Sequence, residues 1–292
     1  MSTTDYRRIS VAVDGGELAV GCWGPDDGPM VVAVHGITSN HLAMALLAEA
    51  LPECRVVAPD LRGRAGSAGL PGPWGMARHA ADVAAVIAAV GGGPVIAAGH
   101  SMGGFVVAEL ARTRPELVAG VVLIDGGLPL RLPPGVDLAT AVTASLGPAL
   151  QRLGMTFPSR EAYLEFWRPH PALQADWSPM IETYLEYDLV GDPPNLRSSV
   201  LSDAVSQDSA ELFDRPPGDD ILAGYPGPAR LLLVDKGLLG VEPGLYPPSE
   251  QAYWRGQLPQ VTVESVPDLN HYTLVTSPAG AERVAAAVRR LR

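Results

Sequence analysis

Gly99-His100-Ser101-Met102-Gly103 is the stretch of this 292-residue chain that decides its fold. It stands between an apolar run at residues 94–98 and a helix-like segment at residues 105–112, so it marks a turn from a strand into a helix. At such a turn the pattern G-x-S-x-G strains the backbone of the serine, and the small glycines let strand and helix pass closely. The pattern therefore predicts a nucleophilic serine, Ser101, at the edge of a sheet.

The helix that follows Ser101 adds to this prediction. Its first N–H groups lack intrahelical acceptors, and its positive dipole end favours negative charge beside the serine. The alternative from the pentapeptide alone is a glycine-rich turn with an incidental serine. The rest of the chain has to decide between the two.

Apolar runs alternate with helix-like segments on both sides of this stretch. Residues 30–34 form a continuous apolar run, typical of a strand buried on both faces, and further strand-like runs lie at residues 55–59, 94–98, 118–125, 229–234 and 261–266. The helix-like segments lie at residues 43–51, 79–90, 105–112 and 279–291. Two alternating runs at residues 8–13 and 17–23, joined by Asp14-Gly15-Gly16, predict an antiparallel hairpin at the start. This order predicts an α/β fold with a mostly parallel sheet and helices on both faces.

The alternation stops after Asp125. A linker rich in glycine and proline, residues 126–135, leads into helical patterns without a buried strand until about Gly224. We therefore predict a core made of residues 1–125 and 226–292 and a helical cap made of residues 126–225.

Composition excludes several classes of protein. Hydrophobic residues make up 47% of the chain and charged residues 18%, which excludes intrinsic disorder. The net charge of −11 opposes binding to nucleic acid, and no apolar run approaches the roughly 20 residues that span a bilayer. Residues 1–16 lack the pattern of a secretory signal, and Cys22 and Cys54 lie in strand-like context. We therefore expect buried free thiols and a cytoplasmic location.

A serine hydroxyl becomes a good nucleophile when a base removes its proton, and the usual base is a histidine held by a carboxylate. His271 lies just beyond the last strand, where a loop can lean back over the turn that carries Ser101. The other five histidines flank the predicted turns or lie in helix or cap contexts: His35, His41, His79, His100 and His170. His271 is the predicted base, with a loop-capping histidine as the alternative.

Three acidic residues compete as the partner of that histidine. Asp125 ends the strand that follows the helix of Ser101, which places a carboxylate at the same sheet edge as the serine. Asp235 directly follows the later strand, and Glu242 lies farther out in the same loop. We predict Asp125 and keep Asp235 and Glu242 as alternatives. A turn-forming or helix-capping role is the structural alternative for Asp125.

Acyl transfer also needs donors for the oxyanion of the tetrahedral intermediate. Met102, directly after the nucleophile, offers one backbone N–H, and Ile37, in the loop after residues 30–34, offers a second. Gly36 lets that loop turn tightly. No pair of histidines or cysteines shows the spacing of metal ligands, so neither a metal nor another cofactor is expected.

These motifs, namely His35-Gly36, the Ser101 stretch, Asp125 and Asn270-His271-Tyr272, together resemble the α/β-hydrolase superfamily. The resemblance implies an eight-stranded, mostly parallel sheet with a helical cap over the nucleophile, and hydrolysis of esters, lactones or thioesters through an acyl-enzyme. Most members carry the acid after the later strand. Haloalkane dehalogenases and zearalenone-type lactone hydrolases, which carry it after the earlier strand, are more similar in this respect. The dehalogenases use an aspartate nucleophile, so Ser101 argues against dehalogenation and epoxide opening.

Seven aromatic residues concentrate in about thirty positions of the predicted cap. By default such residues pack a small helical lobe. Because a cap of this family lies over the nucleophile, we predict that Trp167, Trp177 and Tyr187 line the substrate pocket and favour a hydrophobic substrate.

The sequence thus predicts a cofactor-independent serine hydrolase for a small hydrophobic ester or lactone. C–C bond hydrolysis or perhydrolysis on the same triad is one alternative. A ligand receptor on a hydrolase scaffold is another. Neither a nucleic-acid partner nor membrane insertion is expected, and a homodimer stays open.

Overall fold

One sheet of eight strands carries the turn of Ser101 near its middle. The structure, a computed structural model, describes residues 5–132, 135–213, 222 and 224–292. Its strands are β1 (Arg7–Val13), β2 (Gly16–Trp23), β3 (Met30–Val34), β4 (Arg55–Pro59), β5 (Val95–His100), β6 (Val118–Ile124), β7 (Leu189–Val190), β8 (Arg197–Ser198), β9 (Ala229–Leu233) and β10 (Val261–Ser265). The sheet order is β1-β2-β4-β3-β5-β6-β9-β10, antiparallel from β1 to β4 and parallel from there on. The predicted mostly parallel sheet with an antiparallel start is confirmed.

Helices cover both faces of this sheet. They are α1 (Ala45–Ala50), α2 (Met76–Ala89), α3 (Met102–Thr113), α4 (Leu138–Gln151), α5 (Arg160–Trp167), α6 (Pro179–Glu186), α7 (Ser202–Phe213), α8 (Pro248–Gln257), α9 (Thr273–Thr276) and α10 (Pro278–Arg289). Alternate residues of β3 enter different cores: Val32 and Val34 pack with α2 and α3, whereas Val31 and Ala33 pack with α1 and α10. A strand buried on both faces explains why its sequence is apolar throughout.

Two helices of the core have no counterpart in the sequence prediction. In α8 only Trp254 is buried, so the apolar period that signals a helix is missing. The other, α9, is a single turn two residues after His271, too short for a periodic pattern. The predicted helix at residues 43–51 is a 3₁₀ turn, His41–Met44, followed by α1.

Helices α4 to α7 lie between β6 and β9, in the segment predicted as the cap. A hairpin of two-residue strands, β7 and β8, interrupts them, and Gly191 turns in its connection with a φ of 90°. Helix α4 is kinked at Gly147, which precedes Pro148. Residues 133–134, 214–221 and 223 of the predicted cap and linker lie outside the described residues.

Both cysteines, Cys22 and Cys54, are buried and free, as predicted. Over the ranges described above, every helix is too short or too polar to cross a bilayer.

Candidate active site

Ser101 occupies a tight turn between β5 and α3, with a φ of 55° and a ψ of −123°. Glycines two positions away make this turn possible, because a Cβ on Gly99 would overlap the carbonyl of Gly103 and a Cβ on Gly103 would overlap that of Val34. The Ser101 N–H donates to the carbonyl of Ile124 at 2.9 Å, which ties the turn to β6. The strand-turn-helix context that gives G-x-S-x-G its chemical meaning is therefore present.

Asp125 and His271 meet although they are far apart in sequence. Nδ1 of His271 donates to Oδ2 of Asp125 at 2.6 Å, and both side chains are buried. Because a carboxylate accepts hydrogen bonds, this contact holds the proton of a neutral His271 on Nδ1 and leaves Nε2 as its basic atom. His271 and Ser101 line the same cavity. The three predicted triad residues thus lie at one edge of the sheet.

The backbone of His271 is fixed from both sides. Its N–H donates to the carbonyl of Lys236 at 3.0 Å, and its carbonyl accepts Nε2–H of His100 at 2.8 Å. The side-chain carbonyl of Asn270 accepts the N–H groups of Tyr272 and Thr273, which shapes the turn into α9. Burial, together with the neighbouring His271, holds the pKa of His100 well below its usual value, so it stays a neutral donor. These positioning contacts were missed in the sequence analysis, although Asn270 and His100 directly flank the predicted residues.

The loop after β3 carries the predicted oxyanion donor Ile37. Nδ1–H of His35 donates to the carbonyl of Gly36 at 2.7 Å, and its Nε2 accepts the N–H of Leu61 at 2.9 Å. Burial lowers the pKa of His35 to about 4, so the neutral ring can make both contacts. Since Gly36 C=O and Ile37 N–H belong to one peptide group, His35 orients and polarises that donor. Met102, the other predicted donor, begins α3, where N–H groups lack intrahelical acceptors.

Two buried arginines hold the next two carbonyls of the same loop. Nε of Arg64 donates to the carbonyl of Ile37 at 3.0 Å, and Nη2 of Arg152 donates to that of Thr38 at 2.7 Å. Each guanidinium pairs with a cap carboxylate, Arg64 with Asp208 at 2.5 Å and Arg152 with Asp188 at 3.1 Å. The loop after β3, which carries the predicted oxyanion donor, is therefore held against the cap by buried charged groups.

The electrostatics of Asp208 follow from this anchoring. Burial by itself raises the pKa of Asp208, but the hydrogen bond from His79 and the charge of Arg64 outweigh burial, so the pKa lies below its usual value. The carboxylate also accepts the N–H of Gly75 at 2.6 Å, which ties α7 to the start of α2. The sequence signalled none of these pairings, because their members are separated by more than a hundred residues.

Two cavities share Ser101 and Ile37 but differ in character. The first, about 390 Å³ including space open to solvent, is lined on one side by hydroxyl groups and by His271. Those hydroxyls belong to Thr38, Ser39, Tyr184, Tyr272 and Thr276. The second, about 440 Å³ on the same terms, is lined by Met102, Phe105 and a series of aliphatic side chains. Apolar walls with a few convergent polar groups are typical of small-molecule sites.

This fold and this arrangement can be compared with known proteins. A family model described as the alpha/beta hydrolase family matches residues 31–287, a span that contains Ser101, Asp125 and His271. The chain belongs to the alpha/beta hydrolase family. Its predicted resemblance to that family is thereby confirmed, and hydrolase chemistry is the activity class that the family indicates.

Curated relatives of this chain match it over shorter segments. Lipase LipV of Mycobacterium tuberculosis is 37% identical over 139 residues, which cover 47% of this chain and 53% of that protein. The bifunctional esterase/perhydrolase DCH of Acinetobacter calcoaceticus is 36% identical over 120 residues, 40% of this chain and 44% of the relative. The chain thus spans about half the length of the curated relatives it matches.

Solved structures match this chain over nearly its whole length. The structure of E-2-(acetamidomethylene)succinate hydrolase covers 98% of each chain with a TM-score of 0.76 and 23% sequence identity. At that identity the match shows the shared fold and nothing about substrate.

The aromatic residues predicted to line the substrate pocket of the hydrolase lie elsewhere. Trp167 is buried in the cap core and faces a neighbouring cavity beside Arg152. Trp177 donates to Glu182 at 2.8 Å. Tyr187 donates to Asp60 at 2.8 Å. The described walls of both Ser101 cavities are formed by other side chains, so this part of the sequence prediction is corrected: these aromatics pack the cap and its contact with the core.

The alternative acids of the hydrolase are placed differently from Asp125. Asp235 is half-buried two residues after the end of β9, and Glu242 is exposed on an outer groove. The hydrogen bond to Nδ1 of His271 comes from Asp125. In the portion of the chain that the structure describes, no group of three or more histidine, cysteine, aspartate or glutamate side chains is arranged to hold a metal ion.

Proposed function

We propose that this chain is a serine hydrolase that cleaves carboxylic esters or lactones of hydrophobic substrates through an acyl-enzyme. The observation that carries the proposal is the buried hydrogen bond from His271 to Asp125, at a cavity that Ser101 also lines. A neutral histidine oriented in this way is the base that a serine nucleophile requires. No cofactor is needed for this chemistry.

Acylation begins when Nε2 of His271 takes the proton of Ser101 Oγ as that oxygen bonds to the substrate carbonyl carbon. The carbonyl electron pair moves onto oxygen, and the backbone N–H groups of Ile37 and Met102 stabilise the resulting oxyanion. The intermediate collapses, the bond to the alcohol oxygen breaks, and His271 returns the proton to that leaving oxygen. Asp125 keeps the ring oriented and stabilises its positive charge while the proton is on it.

Deacylation repeats these steps with water as the nucleophile. His271 takes a proton from water, the hydroxide oxygen bonds to the acyl carbon, and Ser101 leaves with the proton returned by His271. For a lactone the alcohol and the acid are parts of one molecule, so the product is a hydroxy acid. The backbone donors act in both halves, and one such donor is worth about 3 kcal/mol of transition-state stabilisation.

Hydrolysis of p-nitrophenyl butyrate by purified variants tests this proposal. Ser101→Ala and His271→Gln should each lower kcat by roughly 10⁵- to 10⁶-fold, because nucleophile and base act as a unit. Ser10→Ala, at an exposed position of β1, is the matched control and should retain wild-type turnover. Full activity in Ser101→Ala would overturn the assignment.

Perhydrolysis is the second candidate, since one relative is named a bifunctional esterase/perhydrolase. In that reaction hydrogen peroxide replaces water in the second half and the product is a peracid. Halogenation of monochlorodimedone in the presence of acetate, peroxide and bromide reports the peracid. A rate above that of Ser101→Ala would support the second candidate, and equal rates would exclude it.

A further inference from the structure

We propose that the acyl group of the substrate is a long linear chain that runs from Ser101 through the apolar cavity and out into a surface groove. The inference rests on the proposed serine hydrolase function and names the substrate class of that site. It follows from three features: the walls of the cavity, its continuity with the groove, and the contrasting walls on the other side of Ser101.

The apolar cavity begins at the reacting atoms. Ser101 and both residues of the predicted oxyanion hole are part of its wall, so a carbonyl held there directs its substituent into this space. The remaining walls come from α3, from cap helices α4 and α7, and from the loop after β9. Their side chains are aliphatic or aromatic except for Ser209. Such walls suit methylene groups and offer little to a charged or strongly polar acyl group.

The apolar cavity adjoins a groove on the surface, and the boundary between the two is called the neck here. Four half-buried side chains line both spaces: Leu130, Phe213, Leu238 and Leu245. On the same terms as the two cavities, the groove has a volume of about 1820 Å³, including space open to solvent. A chain too long for the cavity can therefore continue outward instead of meeting a closed end.

The groove is unusually apolar for an exposed surface. Six large hydrophobic residues are exposed in the described parts of the chain, and three of them line this groove: Leu132, Leu239 and Val241. Contiguous exposed apolar surface commonly marks a binding site. Its continuity with the cavity at Ser101 identifies the occupant as the distal part of the acyl chain. Charged side chains, Arg131, Glu242 and Glu250, are also part of its lining.

The space on the other side of Ser101 receives the leaving group. It is bordered by the hydroxyl-bearing side chains of Thr38, Ser39 and Tyr184 and by His271, which returns the proton to the leaving oxygen. Apolar side chains such as Ala43 and Val275 also line this cavity, but polar side chains are more numerous in it than in the apolar cavity, so it suits the alcohol part of the substrate better.

The chain-length profile of p-nitrophenyl esters tests this inference. Each methylene buried in the cavity should raise kcat/KM roughly fourfold, so values should increase from acetate through octanoate. They should then stay high through dodecanoate, because the chain leaves through the neck. A profile that peaks at acetate or butyrate and falls steeply by octanoate would overturn the inference.

Variants that obstruct the neck provide a second test of the inference. Leu245→Trp and Leu130→Trp each add a bulky ring at the neck without touching the triad. Both should lower the ratio of kcat/KM for decanoate to kcat/KM for acetate at least tenfold relative to wild type. Retained acetate hydrolysis also shows that the variant is folded. Val190→Trp, an exposed apolar position on the cap hairpin, is the matched control and should leave both substrates unaffected.

The outcomes separate the two proposals. Hydrolysis of acetate with no preference for long chains, or equal loss of both substrates in each neck variant relative to the control, overturns the acyl-chain inference and leaves the serine hydrolase function standing. Failure of the wild-type protein to hydrolyse any of these esters overturns the proposed function, and the acyl-chain inference with it.

Discussion

Ser101 and Asp125 share an uncommon backbone conformation. Both have positive φ, 55° and 43°, which side chains other than glycine rarely adopt. Each directly follows a parallel strand, and backbone bonds to the neighbouring strand hold both in place, from Ser101 to Ile124 and from Asp125 to Leu232. Such positions persist only where the surrounding structure enforces them, and they concentrate at functional sites.

The role of Asp125 can be tested by removing its charge. Asp125→Asn preserves size but presents an amide to His271, which favours the wrong tautomer, so kcat should fall by about 10⁴-fold. Asp235→Asn and Glu242→Gln are the matched controls and should stay within a few fold of wild type. Steady-state hydrolysis of p-nitrophenyl butyrate measures all three. A larger loss in either control than in Asp125→Asn would assign the acid to the later loop.

Ser209 offers a test of the cavity wall. Its hydroxyl is buried in the apolar cavity without a hydrogen-bond partner in the described structure. An unsatisfied buried hydroxyl costs about 1 kcal/mol or more, and alanine is also the better helix former. Ser209→Ala should therefore raise the free energy of unfolding by about 1 kcal/mol in a urea titration. A loss of stability would mean that the hydroxyl does have a partner in solution.

Among the elements, the loop after β3 depends most on contacts with residues that are distant from it in sequence. Its carbonyl at Thr38 is held by Arg152, which Asp188 neutralises, and Asp188 also accepts the hydroxyls of Ser198 and Ser199. The cap therefore contributes to the geometry of a loop that belongs to the core. Removing the Arg152 side chain should therefore weaken the packing of the cap and also reduce the stabilisation of the oxyanion.

Arg152→Met tests that coupling. Removing one member of a buried ion pair leaves Asp188 uncompensated, so the free energy of unfolding should fall by about 3 kcal/mol. The kcat for p-nitrophenyl butyrate should fall as well, because Thr38 loses its donor. Arg168→Met, which breaks an exposed cap pair with Glu182, should cost about 0.5 kcal/mol or less. Equal urea midpoints for Arg152→Met and wild type would contradict the stabilising role of Arg152.

The elements also show what the sequence could predict. Buried parallel strands and the Ser101 turn carry strong local signals, so β3 to β6, β9 and this turn were predicted close to their observed bounds. Asp125 was placed at the sheet edge because strand order constrains where a strand ends. The anchors Arg64 and Arg152 were not predictable, since pairing across more than a hundred residues depends on tertiary packing. The cap aromatics were misplaced for the same reason: an aromatic-rich sequence does not distinguish core packing from pocket lining.

At the scale of the whole molecule, buried neutral histidines make stability depend on pH. Burial lowers the pKa of His35 and of His170 to about 4, from a usual 6.5, and lowers that of His100 further. Between about pH 6.5 and pH 4 these histidines are protonated in the unfolded chain but neutral in the folded chain. The free energy of unfolding therefore falls as the pH falls across this range. For His35 the loss is on the order of 3 kcal/mol.

His170→Phe isolates one part of this effect. The ring of His170 packs against Trp167 and Tyr272, so phenylalanine can fill its place without a titrating group. Urea unfolding at pH 7.0, 6.0 and 5.0 should show a steady loss of stability in the wild type and a smaller loss in the variant. Asp60 and Asp208, whose pKa values lie below the usual 3.8, lose their contributions only at lower pH. Wild-type stability that is unchanged between pH 7.0 and 5.0 would contradict this account.

The central claim is that Ser101 is a nucleophile activated by His271 and Asp125, and covalent labelling tests it most directly. Treatment with a fluorophosphonate followed by peptide mass spectrometry should place a single adduct on Ser101 in the wild-type protein. The labelling rate should fall by orders of magnitude in His271→Gln and in Asp125→Asn but not in Asp235→Asn. An adduct on another residue, or a rate unaffected by His271→Gln, would contradict the claim.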